Sequence, residues 1–80
     1  MATLKHLREL MLLSQSELAH LVGVSLQTIY EWEHARARPS PVNRRKLVEV
    51  LKITPAELLQ TLEETAEEGK KEGNKERPAA

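Results

Sequence analysis

Apolar residues recur along this chain at helical spacing, and nowhere do they alternate with polar ones as in a half-buried strand. Leu4, Leu7 and Met11 share a face of a first segment. Leu18, Ala19 and Val22 line a second, and Ile29 and Trp32 a third. Leu47, Val48 and Leu51 line a fourth, and Leu58, Leu59 and Leu62 a fifth. The intervening positions are mostly polar, so each segment reads as an amphipathic helix with one face for a shared core.

Local start signals agree with this period. "SQSE" supplies Ser14 as N-cap and Glu17 three residues on, a capping box, with Leu13 and Leu18 as hydrophobic staple. "TPAE" repeats the device with Thr54 and Glu57, Pro55 in the first turn, and Ile53 with Leu58 as staple. Ser25 caps a third helix, Ser40 before Pro41 a fourth, and Thr3 the first. Each cap satisfies backbone N–H groups that a helix leaves unpaired, worth about 1 kcal/mol. The pattern predicts an all-α fold with helices over 3–12, 15–22, 26–34, 41–51 and 55–67.

Past residue 68 the pattern stops. "GKKEGNKERPAA" has no large apolar residue to offset its chain entropy, so 1–68 is expected to fold and 69–80 to be a disordered charged tail.

Composition narrows the function. Eighty residues allow one small domain, with little room for a concave substrate site. There is no Cys and no Asp, which removes disulfides, thiolate metal sites, a Cys nucleophile and an Asp-containing triad. No phosphate-cradling Gly loop occurs, and His6, His20 and His34 are too far apart for a local metal motif. An enzyme is not expected, nor a cofactor. The apolar runs are too short to span a bilayer, and the N-terminus lacks a secretory core, which points to a cytoplasmic protein. The formal net charge is zero, but residues 1–53 carry eight Lys or Arg against five Glu, and 54–80 carry seven Glu against four basic residues. The positive excess lies with the first four helices.

The segment "GVSLQTIYEW" shows what that excess serves. Gly23 suits a sharp helix end, so the second and third helices form a helix-turn-helix. Ile29 and Trp32 turn inward. Leu26, Gln27, Tyr30, Glu31 and His34 share an outer face. In this motif the N-terminal part of the second helix enters the DNA major groove. Gln27 suits a bidentate pair of bonds to adenine, Leu26 a thymine methyl, and Glu31 either cytosine N4 or the repulsion of wrong sites. Tyr30 is the fourth candidate reader; an exposed Tyr also suits a protein contact.

At greater length, "LRELMLLSQSELAHLVGVSLQTIYEWEHARARPS" resembles the Cro/repressor helix-turn-helix family, also called the XRE family, over about residues 4–59. The resemblance implies a compact five-helix, lambda-repressor-like domain that binds double-stranded DNA, usually as a homodimer on a palindrome. It implies phosphate contacts by Ser14 and Gln15, and base or backbone contacts by Thr28 beside the readers. It also implies a buried ion pair between Arg8 and Glu33. Arg36 and Arg38 in "HARARPS" suit phosphate or the minor groove. Arg44 in "NRRK" is either phosphate-facing or part of a solvated face. Two positions depart from the family pattern, which places Gly where Ala35 and Leu12 stand. Either the third helix runs on, or Ala35 is strained.

The expected function is a sequence-specific transcriptional regulator, a repressor or an antitoxin that represses its own operon, with a toxin as a further partner. The alternative is a protein-interaction module, antitoxin-like or coactivator-like, on the same fold. The exposed positions expected for Leu12, Leu26 and Leu62 favour that alternative.

Overall fold

A computed structural model describes the backbone of residues 2–76 and the side chains of residues 2–69. Most of the tail expected over 69–80 lies outside the described side chains, and 77–80 lie outside the description altogether. The chain forms α1 (Leu4–Leu10), α2 (Gln15–Val22), α3 (Leu26–Glu33), α4 (Pro41–Leu51) and α5 (Pro55–Glu76).

Every predicted cap is made. Thr3, Ser14, Ser25 and Ser40 are N-caps with extended backbone, each accepting a backbone N–H three residues on. At the head of α5, Thr54 Oγ1 accepts the Glu57 N–H (3.1 Å) while Glu57 returns a carboxylate oxygen to the Thr54 N–H (2.9 Å).

The helix ends are less conventional. Each of α1 to α4 is followed by a residue in the left-handed region: Leu12 (φ 60°), Gly23 (φ 84°), Ala35 (φ 56°) and Lys52 (φ 56°). Only one is glycine, the residue that adopts this conformation without strain. The hydrogen bonds explain why the others are held there. Leu13 N–H reaches Arg8 O (3.2 Å), Arg36 N–H reaches Glu31 O (2.8 Å) and Ile53 N–H reaches Val48 O (3.3 Å), the wide closing bond of a Schellman turn. Leu13, Val24 and Ile53, which follow Leu12, Gly23 and Lys52, pack against the core. At Leu12 and Lys52, packing of the next side chain holds a turn that the residue itself resists.

Leu4, Leu18, Ala19, Val22, Ile29, Trp32, Leu47, Leu51, Leu58 and Leu62 form the core. α2 packs on α3 and α4, α5 on α4 and α1, and α1 on α3. Four expectations need correction. Met11 leaves the α1 stripe because the helix stops at Leu10, and it lies on the surface. Leu59 is half exposed. Leu62 keeps its place on the core stripe and is not among the exposed leucines, because α5 turns that face toward the globule. The fifth helix does not stop at 67 but continues to Glu76. Gly69 lies within it and permits a close approach: a Cβ there would sit 3.0 Å from both Ala35 Cβ and His34 O.

A polar seam joins α5 to α1. Thr65, 2% exposed, accepts the Leu4 N–H through Oγ1 (2.9 Å) and donates to Thr61 O (2.8 Å). Glu64 accepts the Ala2 N–H (2.7 Å).

Candidate nucleic-acid interface

The α2–turn–α3 unit is built by two linked caps. Ser14 Oγ accepts the Glu17 N–H (3.0 Å), and the Ser14 N–H donates to Glu17 Oε1 (2.8 Å). The Ser14 backbone bond, then its hydroxyl, hold the Glu17 carboxyl below its ordinary range. Ser25 Oγ accepts the Thr28 N–H (3.1 Å) and shares a hydrogen bond with Thr28 Oγ1 (2.9 Å). The Thr28 hydroxyl is therefore engaged with the cap of its own helix.

α3 has the expected phase. Ile29, Trp32 and Glu33 are buried; Leu26, Gln27 and Tyr30 are exposed, and Glu31 is half-buried on the same outer side. The helix ends at Glu33, with His34 as its cap, and Ala35 takes the left-handed conformation. Of the two outcomes expected for Ala35, the strained one holds. The rings of Tyr30 and His34 stack at 4.0 Å with an interplanar angle of 26°, and His34 Nδ1 bonds to Tyr30 O (2.9 Å). The Arg36 guanidinium carbon lies 6.0 Å from the centroid of the Tyr30 ring, at the edge of cation–π range.

Beneath this face sits the buried ion pair. Arg8 Nε bonds Glu33 Oε2, and Arg8 Nη2 donates to Glu33 Oε1 (3.3 Å). Arg8 Nη1 donates to Leu13 O (2.8 Å), and Gln15 Nε2 donates to the same Glu33 Oε1 (2.9 Å). The network ties α1, the α1–α2 turn, α2 and α3 together. Among the described residues no buried side-chain nitrogen or oxygen lacks a partner.

Ser14, Gln15 and Leu26 come together in an open cleft of about 490 Å³, with Lys5, Arg8 and Ser16 as its other lining residues. Lys5 and Ser16 did not stand out in the sequence. Lys5 sits on the polar side of α1, and nothing local distinguishes it from a solvated lysine. Arg36 and Arg38 are exposed in the α3–α4 loop. Arg44 is not part of the cleft: its Nε donates to Pro39 O (3.1 Å), and it lines a groove between α4 and α5.

A family model described as helix-turn-helix matches residues 4–58, well over half of the chain. The chain belongs to the XRE helix-turn-helix family. No curated protein and no solved structure matches it. XRE-family proteins are DNA-binding transcription regulators, and the family is not one of enzymes. The matched stretch includes the α2–α3 pair described above. Among the described residues no helix is long and apolar enough to cross a membrane.

Proposed function

We propose that this XRE-family regulator is a cytoplasmic repressor that reads a specific operator sequence through α3. The observation that carries the reading is the outer side of α3: Leu26, Gln27, Tyr30 and Glu31 lie together on a helix whose opposite side is locked into the core. Gln27 pairs with adenine in the major groove, Leu26 meets a thymine methyl, and Tyr30 and Glu31 complete the half-site. Ser14, Gln15 and Thr28 face phosphates beside the groove, and Arg36, Arg38 and Arg44 supply charge to the flanking backbone. The Glu33 contact supports this role for Gln15, since it holds the side-chain amide in one orientation at the mouth of the cleft. One short helix touches few base pairs, so the regulator acts as a homodimer on a palindrome.

Selection of bound duplexes from a random pool at low salt, followed by sequencing, tests the reading. An enriched palindrome is expected. Gln27→Ala should flatten the preference at one position per half-site, by about 1–3 kcal/mol. A folded protein that enriches no sequence at low salt would falsify operator reading. That outcome would favour the second reading, a protein-interaction module, for which the observation is the exposure of Leu12 (89%) and Leu26 (49%).

A further inference from the structure

The inward stripe of α5 does not stop where the core does. Leu58, Leu62, Thr65 and Gly69 follow one another at helical spacing along a single face. Leu58 and Leu62 belong to the core, and Thr65 accepts the Leu4 N–H at the head of α1. Gly69 lies one turn further on and meets the end of α3. A Cβ on it would sit 3.0 Å from Ala35 Cβ and 3.0 Å from His34 O. The stripe loses its side chain at the place where α5 closes on another backbone.

What Gly69 meets is tied to the outer side of α3. The His34 ring stacks on the Tyr30 ring at 4.0 Å, and His34 Nδ1 bonds to Tyr30 O (2.9 Å). Arg36, next after Ala35, sets its guanidinium carbon 6.0 Å from the centroid of the same Tyr30 ring. Ala35 between them is left-handed (φ 56°), a conformation that it resists, so the exit from α3 needs support from outside the turn. Exposed side chains that must be ordered on binding cost affinity, and holding them in place beforehand removes that cost. α5 supplies the support: Gly69 sits against His34 and Ala35, His34 against Tyr30, and Arg36 beside Tyr30.

We propose that Gly69 is a positioning residue for DNA reading. By seating α5 against the end of α3, it fixes the Tyr30–His34–Arg36 cluster in the conformation that meets the duplex. The inference rests on the operator reading for its purpose. The geometry of the cluster is independent of DNA.

Gly69→Val in the full chain tests it, because a branched side chain has no room there. Circular dichroism and a urea midpoint establish that the variant is folded. Without DNA, the His34 ring-proton resonances, displaced by the stacked Tyr30 ring, should move toward those of a free imidazole. Affinity for the duplex that the wild type enriches from a random pool should fall roughly tenfold at fixed salt. Base preference should flatten at the position that Tyr30→Ala flattens. Thr65→Val loosens α5 from α1 one turn earlier, and it should change neither the His34 resonances nor that preference. Wild-type His34 resonances in a folded Gly69→Val protein, or wild-type affinity and preference, overturn the proposal. So does the same loss of preference in Thr65→Val, since the effect would then follow stability alone. If Gly69→Val does not fold, Gly69→Ala carries the same readouts with one added methyl. A wild type that enriches no duplex sinks operator reading, and the His34 resonances still decide whether Gly69 holds the cluster.

Discussion

Gln15 Nε2 lies 2.9 Å from Glu33 Oε1, the same oxygen that Arg8 Nη2 contacts at 3.3 Å. A residue proposed to face DNA is thus held by a carboxylate in the core. Fold and interface share one anchor, and a change at the anchor reaches both.

Arg8→Met should therefore act twice. It leaves Glu33 buried and without its cation, and breaking a buried pair in this way costs about 3–5 kcal/mol. Thermal unfolding of the variant should show a large drop in Tm. Arg8→Met combined with Glu33→Leu should recover much of the loss, because no charge is then stranded. An Arg8→Met protein as stable as the wild type would mean that the pair contributes nothing to folding.

The left-handed helix ends give a set of opposite signs. Ala35→Gly and Leu12→Gly relieve a conformation that L-residues resist, and each should stabilise by up to about 1 kcal/mol. Gly23→Ala should destabilise by about 1 kcal/mol through the backbone alone, because the added Cβ meets nothing closer than Lys46 Nζ at 3.7 Å. Gly69→Ala should also destabilise although it favours helix, because its Cβ would crowd Ala35 Cβ and His34 O. Urea midpoints of the four variants decide the signs.

Thr65→Val keeps the shape of a buried side chain and removes the oxygen that accepts the Leu4 N–H. An unsatisfied buried donor costs about 1–3 kcal/mol. Thr65→Ser should retain most of the stability. Faster amide exchange at Leu4 in the valine variant, absent in the serine variant, is the expected signature.

Acid should loosen α2 and α5 at their first turns. The carboxyls of Glu17 and Glu57 are both held low, first by the N–H and then by the hydroxyl of their capping residues. A depressed carboxyl stabilises the fold at neutral pH, and that contribution is lost as pH falls through the folded-state value. The urea midpoint should therefore decline below about pH 4. Ser14→Ala and Thr54→Ala together should lower the midpoint at pH 7 and flatten its decline in acid. A parallel pH profile in the double variant would remove the caps as its cause.

Lys5 and Gln27 should separate charge from reading. Lys5→Ala should weaken binding about equally for all duplexes and reduce the slope of log affinity against log salt by about one. Gln27→Ala should leave the slope unchanged and alter base preference. A Lys5 variant with the wild-type slope would place Lys5 away from phosphate.

What the sequence by itself determined is what lies within one helical turn. Ser14 with Glu17, and Thr54 with Glu57, are three residues apart, and their reciprocal bonds form wherever the chain goes next. Ile29 and Trp32 against Gln27 and Tyr30 is a matter of helical phase, so the exposed side of α3 was legible before any tertiary contact was known. The resemblance to the family added the Arg8–Glu33 pair, which no local rule suggests. Tertiary structure decided the rest. It ended α1 at Leu10, where the Leu13 N–H bond to Arg8 O and the packing of Leu13 hold Leu12 left-handed. It carried α5 past Gly69, where a glycine chosen for close approach looks in sequence like a break. It left Leu59 half in water, brought Lys5 to the cleft beside Gln15, and set Thr65 under the first N–H of α1. These contacts join residues far apart in the chain, and their geometry depends on how whole helices pack. Periodicity and caps can say which face a helix buries, but not what it meets there.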